Sequence, residues 1–166
     1  MKKIIKTIMM AALTLCMFTG CSNQNQEVSV NLNDVMTTMQ EQLIPEELTL
    51  LDSKTEYLSA MYNYDLIDGQ YVQMVGKYPM MSAQTYEIMM FEANDTVAAD
   101  NLEKAMNEKV ETTLNGFGYP STMEAAENAV VTRQGNYVAL FMAYDMDNAE
   151  INQDLANIFT SYFTEK

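Results

Sequence analysis

Residues 137–142 read Tyr-Val-Ala-Leu-Phe-Met, a run without a single charged or amide side chain. Neighbouring side chains of a β-strand point to opposite faces of a sheet, so a strand of this composition presents apolar side chains on both faces. We therefore predict a central strand over residues 137–144. Its faces are covered either on both sides by its own domain, or by its own domain on one side and a partner molecule on the other.

Three further strands are indicated around this one. Gln134-Gly135-Asn136 is a hairpin turn signal, and it pairs the central strand with residues 130–133. A second pair, residues 70–75 and 85–91, is rich in Tyr, Val, Ile and Met, and Tyr78-Pro79 lies between its two strands. The chain therefore predicts two hairpins.

Helices are indicated where a capping residue precedes apolar side chains at helical spacing. The resulting order is αα-ββ-α-ββ-α. This order predicts an α+β fold, in which a four-stranded, mainly antiparallel sheet carries helices packed on one face. The helices are predicted to begin at Asn33 or Asp34, at Ser53, at Asp95-Thr96, after Pro120 and at Asp147.

The N-terminus has the pattern of an export signal. Lys2, Lys3 and Lys6 give it positive charge, and residues 8–18 are apolar except for Thr14. This apolar stretch has the length of the hydrophobic region of a signal peptide, and it is too short to span a bilayer core of about 30 Å.

The residues after the apolar stretch resemble a bacterial lipobox. Phe18-Thr19-Gly20-Cys21 places small residues before a cysteine, although the first position usually holds leucine. The resemblance implies cleavage before Cys21 and lipid on its thiol, which places the protein on the outer, extracytoplasmic face of a cell membrane. The alternative is a plain secretory signal cut near Gly20, which leaves a free thiol.

The exported chain is strongly acidic. Loss of the three N-terminal lysines leaves six basic against 23 acidic residues, which argues against a nucleic-acid partner. The chain has no histidine, which excludes Ser-His-Asp and Cys-His catalysis and histidine zinc sites. We predict no catalytic residue, no metal site and no cofactor. The predicted parts are a lipoprotein signal peptide (1–20), a lipidated cysteine and flexible tether (21–32) and a single α+β domain (33–166).

Two acidic segments contain oxygen ligands of the kind that calcium prefers. Residues 145–150, Asp-Met-Asp-Asn-Ala-Glu, resemble the start of a calcium loop, but Glu150 stands where such a loop needs glycine. Residues 65–69 end in Asp-Gly, which favours a turn. The simpler interpretation of residues 145–150 is a strand end followed by a capped helix. The simpler interpretation of residues 65–69 is a turn.

The methionine-rich segments are candidates for an interaction surface. Met80 and Met81 follow Tyr78, and Met89 and Met90 lie in a predicted strand. Methionine is flexible and polarisable, so it adapts to varied partners, but it also fills gaps in cores. An interaction surface requires exposed side chains here, whereas a core buries all four methionines.

Two sets of short motifs resemble signatures of the DUF4358 family, small lipoproteins of Gram-positive Firmicutes. The first is residues 78–88, Tyr-Pro-Met-Met-Ser-Ala-Gln-Thr-Tyr-Glu-Ile, and the second comprises Tyr119-Pro120, Asn128-Ala129 and Gly135-Asn136-Tyr137-Val138. The resemblance extends over residues 34–163. It implies an α+β domain of unassigned function, and it carries over no catalytic residue.

These observations predict a cell-surface lipoprotein with a non-enzymatic binding or interaction domain. Its partners are the membrane, through lipid on Cys21, and an unknown protein or cell-wall component. The alternative is a small ligand- or cation-binding lipoprotein. A groove between helices and sheet with convergent polar groups favours the alternative, and a flat apolar patch favours an interaction domain.

Overall fold

The computed structural model describes residues 29–81 and 85–164, and these residues form an antiparallel sheet of five strands. The order across the sheet is β1-β2-β3-β5-β4, so β3 and β5 join the two predicted hairpins at its centre. The strands are β1 (Leu50–Asp52), β2 (Tyr71–Pro79), β3 (Tyr86–Ala93), β4 (Val130–Gln134) and β5 (Tyr137–Ala143).

The prediction of four strands is wrong, because the sheet has a fifth strand, β1, at one edge. β1 has three residues and pairs with the end of β2, from Leu50 opposite Pro79 to Asp52 opposite Lys77. A strand this short shows no alternation of apolar and polar residues, so its sequence carries no period that would indicate it. The same pairing extends β2 through Tyr78 and Pro79, which the sequence placed in a loop between strands.

Helices cover both faces of the sheet, and the prediction of one covered face is therefore wrong. The first face packs against α1 (Leu32–Gln42) and α5 (Ile151–Ser161), and the second against α2 (Thr55–Met61), α3 (Thr96–Leu114) and α4 (Pro120–Glu127). The cause is the composition of the central strands, because alternate apolar residues of β3 and β5 belong to two separate cores. Two ways to cover the central strand were predicted, and the first is confirmed: helices of the domain itself cover both of its faces.

Helix boundaries follow the capping signals where the cap is made locally. Asp95 caps α3 as predicted, and its Oδ1 accepts from the amide of Ala98 at 2.8 Å. The last helix begins at Ile151 and not at Asp147, because the amide of Asp147 donates to the Asp145 side chain in a preceding turn. Ser53 does not cap α2, since Lys54 holds the cap position.

The domain begins within the predicted tether. Val30 and Leu32 are buried in the first core, so residues 30–32 belong to the domain and not to a flexible segment. The amide of Val30 donates to the hydroxyl of Tyr137 at 3.0 Å, and that of Leu32 donates to Oε1 of Gln73 at 2.6 Å. The chain therefore enters the domain beside the first residues of β2 and β5. The signal peptide and Cys21 lie outside the described residues.

Asn152 joins α5 to the end of the central strand. Its Oδ1 accepts from the amide of Ala143 at 2.7 Å, and its Nδ2 donates to the carbonyl oxygens of Ala143 and Asn128, both at 3.0 Å. The side chain is buried. One amide therefore satisfies three backbone groups at the point where β5, α5 and the end of α4 meet.

Within the described ranges, no helix has the length and apolar composition needed to cross a membrane.

Candidate functional site

A groove of about 680 Å³ opens at the end of the sheet opposite to the entry of the chain. It lies between α2, the last turns of α3 and the ends of β2, β3 and β5. We call it the aromatic groove. Its lining includes Tyr57, Met61, Tyr78, Pro79, Met80, Thr85, Glu87, Lys109, Thr113, Phe117, Gly118, Tyr119, Thr122 and Met142.

The rim of the aromatic groove carries large apolar side chains that face solvent. Phe117 is fully exposed, Met80 is 62% exposed, and Met61 and Tyr119 are also exposed. One such side chain is ordinary on a protein surface, but several around one concavity are typical of a binding site.

One wall of the groove is a stacked pair of tyrosines. The rings of Tyr57 and Tyr78 are parallel to within 10°, with centroids 3.9 Å apart, and Tyr62 meets the ring of Tyr57 edge-on at 6.4 Å. Stacking fixes the orientation of both rings, so this wall is already in place before a ligand arrives.

The floor holds an ion pair between β3 and α3. Glu87 Oε2 lies 3.5 Å from Lys109 Nζ, and each side chain is 7% exposed. Tyr62 donates its hydroxyl to Glu87 Oε1 at 2.5 Å, and the Lys109 ammonium lies 5.4 Å from the centroid of the Tyr62 ring. The Glu87 carboxylate therefore has partners on both oxygens.

The Lys109 ammonium can donate more hydrogen bonds than its one ion pair uses. Among the residues that the structure describes, Glu87 is its only ion-pair partner. An ammonium has three N–H donors, and buried polar groups are nearly always hydrogen-bonded. Because Lys109 lines the aromatic groove, a molecule in the groove can supply the missing acceptors.

The tyrosine hydroxyls near Glu87 are held in the protonated form. Burial raises the pKa of Tyr62 well above its usual range, and the Glu87 carboxylate raises it further. The pKa of Tyr57 is raised by burial and then by Glu87 in the same way. Both side chains are therefore hydrogen-bond donors and not general bases.

Because its pKa is raised, we predict that Tyr62 does not ionise in the alkaline titration of the folded protein. In the unfolded chain its pKa is about 10. Because the folded pKa is higher, its contribution to stability is complete below pH 10 and is lost as the pH rises through the folded pKa. In a tyrosinate absorbance titration, Tyr62→Phe should leave the phase near pH 10 unchanged and remove amplitude only when the protein unfolds. Denatured protein, in which the variant lacks one tyrosine's absorbance, is the control; a smaller phase near pH 10 in folded Tyr62→Phe contradicts the assignment.

The model of DUF4358, a domain of unknown function, matches residues 45–143, which is more than half of the chain. The chain belongs to the DUF4358 family. The match runs from Pro45 through β5 and contains every residue that lines the aromatic groove, whereas α1 and α5 lie outside it. No curated protein and no solved structure matches the chain.

The structure divides the predicted interaction surface of this DUF4358 protein in two. Tyr78 and Met80 line the aromatic groove, and Met81 is exposed beside them. Met89 and Met90 are 0% exposed, so their assignment to an exposed surface is corrected. They lie in β3, which is covered on both faces, and each packs into a different core.

The ion pair was not identified from the sequence, although a signal for it exists. Glu87 is a charged residue on the same face of its strand as Met89 and Phe91, which are both apolar and belong to the second core. Lys109 lies four residues after Ala105 and seven after Leu102, on the apolar face of α3. Opposite charges on the core-facing sides of two elements predict a buried pair.

The acidic segments are held by internal hydrogen bonds. Asp145 accepts from the hydroxyl of Tyr86 at 2.7 Å and from the amide of Asp147 at 2.9 Å, and Asp68 accepts from the hydroxyl of Tyr64 at 3.1 Å. Across residues 29–81 and 85–164, no three acidic or cysteine side chains form a group that could hold a metal ion.

Proposed function

We propose that this protein is a cell-surface lipoprotein, anchored through lipid on Cys21, whose domain binds a ligand in the aromatic groove without catalysing a reaction. The lipobox-like Phe18-Thr19-Gly20-Cys21 supports the anchor. Two acyl chains on one cysteine suffice for stable attachment to a membrane.

The observation that carries the binding proposal is the position of Lys109. Its side chain is 7% exposed, forms one ion pair at 3.5 Å, and belongs to the lining of a groove rimmed by exposed apolar side chains. A ligand that fits this arrangement has an apolar or aromatic body and a hydrogen-bond acceptor such as a carbonyl or a carboxylate. A groove with convergent polar groups favours a ligand site over a flat interaction surface.

The chemistry of the floor supports binding over catalysis. Tyr62 and Tyr57 remain protonated, because their pKa values are raised by burial and by Glu87. Glu87 itself accepts from Tyr62 and faces Lys109. Both oxygens of this carboxylate therefore already have partners within the floor.

The test exploits the absence of tryptophan from the chain. N-acetyltryptophan has an aromatic body and a carboxylate, and its fluorescence can be excited without exciting tyrosine. We expect saturable binding, with a shift of the emission maximum, that Phe117→Ala weakens about tenfold, or about 1.4 kcal/mol. Phe117 is fully exposed, so the substitution leaves the fold intact.

The matched control is Val97→Ala, which removes an exposed apolar side chain of α3 that does not line the groove. This variant should bind the probe as the wild type does. Absence of saturable binding, or equal binding by wild type and Phe117→Ala, contradicts the proposed function.

A further inference from the structure

A second groove, of about 400 Å³, lies beside the aromatic groove. Thr85 lines both, and its hydroxyl oxygen is 3.3 Å from that of Thr122 at the start of α4. Thr85 is therefore a wall residue of both grooves. A ligand in the aromatic groove therefore has a second concavity within reach of its next chemical group.

The second groove carries negative charge, and we call it the acidic groove. Its lining includes Leu48, Met146 and two acidic residues, Glu47 and Asp145, and no basic residue among the described ones lines it. Glu47 is exposed and forms no ion pair within the described ranges. The two grooves therefore differ in charge: the first contains the Glu87–Lys109 ion pair, whose charges cancel, and the second contains Glu47 without an ion pair among the described residues.

The charge of the whole chain acts in the same direction as the acidic groove. The chain has a formal net charge of -14, so its field attracts cationic groups and repels anionic ones. An anionic group would need a local cation, and Lys109 in the lining of the aromatic groove is such a residue. A cationic group is favoured at the acidic groove by both the local and the overall field.

We infer that the ligand is a short peptide segment that places an aromatic side chain and a carbonyl or terminal carboxylate in the aromatic groove and a basic side chain in the acidic groove. This inference rests on the proposed function. A peptide carries all three groups on adjacent residues, spaced by about 3.3 Å per residue along an extended chain. The carbonyl or carboxylate satisfies donors of Lys109, and the basic side chain pairs with Glu47.

Two dipeptides with free carboxylates, acetyl-Lys-Trp and acetyl-Glu-Trp, test the inference by the fluorescence of their tryptophan. They share the tryptophan and its carboxylate, and the side chain that would reach the acidic groove is basic in the first and acidic in the second. We expect acetyl-Lys-Trp to bind about fivefold more tightly at low salt, as for one exposed ion pair, and the preference to shrink as salt is added.

Glu47→Gln should reduce the preference to about twofold or less. The matched control is Glu46→Gln, which removes the same charge from the adjacent exposed residue, outside the lining of the acidic groove. Glu46→Gln should retain the fivefold preference.

The outcomes separate the inference from the proposed function. Equal binding of both dipeptides, weakened by Phe117→Ala, overturns the peptide inference and leaves the aromatic groove as a binding site. A preference that Glu46→Gln and Glu47→Gln reduce equally also overturns the inference, because it reflects overall charge. Failure of both dipeptides and of N-acetyltryptophan to bind overturns the proposed function itself.

Discussion

Lys109→Met should lower the free energy of unfolding by about 3–5 kcal/mol, the usual cost of removing one partner from a buried ion pair. The substitution keeps the length and the apolar stem of the side chain, so the loss is electrostatic. It leaves the Glu87 carboxylate, 7% exposed, with the Tyr62 hydroxyl but without its counter-charge. Urea unfolding at neutral pH measures the change.

Two further variants show whether burial of the pair causes the loss. Glu87→Gln combined with Lys109→Met removes both charges and keeps an oxygen acceptor for Tyr62, so it should recover most of the lost stability. Lys104→Met removes an exposed lysine of the same helix, paired with Glu108 at 3.7 Å, and should change stability by less than about 1 kcal/mol. Equal effects of Lys104→Met and Lys109→Met would show that the pair is not buried.

Asn152→Asp is expected to cost about 3–5 kcal/mol at neutral pH. The change replaces an NH₂ donor by a carboxylate oxygen that faces the carbonyl oxygens of Ala143 and Asn128 at about the present 3.0 Å. Two hydrogen bonds become repulsive contacts in a buried position, and each unsatisfied buried group costs about 1–3 kcal/mol. Protonation of the new carboxyl restores one donor, so the loss should shrink as the pH falls.

Asn157→Asp is the matched control, because Asn157 is an exposed residue of the same helix. It makes the same change of charge and should alter stability by less than about 0.5 kcal/mol. Asn152→Ala, which loses the hydrogen bonds without adding a charge, should lie between the two. A pH-independent effect of Asn152→Asp would argue against its carboxyl as the cause.

The α+β class and most elements could be predicted from local signals. Asp95 and Pro120 mark the starts of α3 and α4, and residues 137–142 indicate a strand that is buried on both faces. These features depend on neighbouring residues, whose spacing is fixed by the chain itself. The edge strand β1 is not predicted, because it forms by pairing with the distant strand β2. A segment of three residues is too short to show a strand pattern of its own.

The site could be predicted less well, because it exists only after the elements pack. Tyr78 and Met80 were identified from their composition, but Tyr57, Glu87 and Lys109 meet them only when α2 and α3 lie on the same face of the sheet. The sequence predicts all helices on one face and does not indicate which helix covers which strand. The prediction that Met89 is exposed is wrong for the same reason, because its burial depends on a contact with the distant residue Gly76 of β2. A Cβ at Gly76 would come within 2.7 Å of Met89 Cε.

The entering chain and the aromatic groove lie at opposite ends of the sheet. The chain enters beside Tyr137 at the start of β5, and the aromatic groove lies beside Glu87, which is five residues from the Glu92 that pairs with Tyr137. At about 3.4 Å per residue the separation is about 17 Å along the strands. Under the proposed attachment through Cys21, this separation places the aromatic groove at the end of the sheet farther from the attached chain.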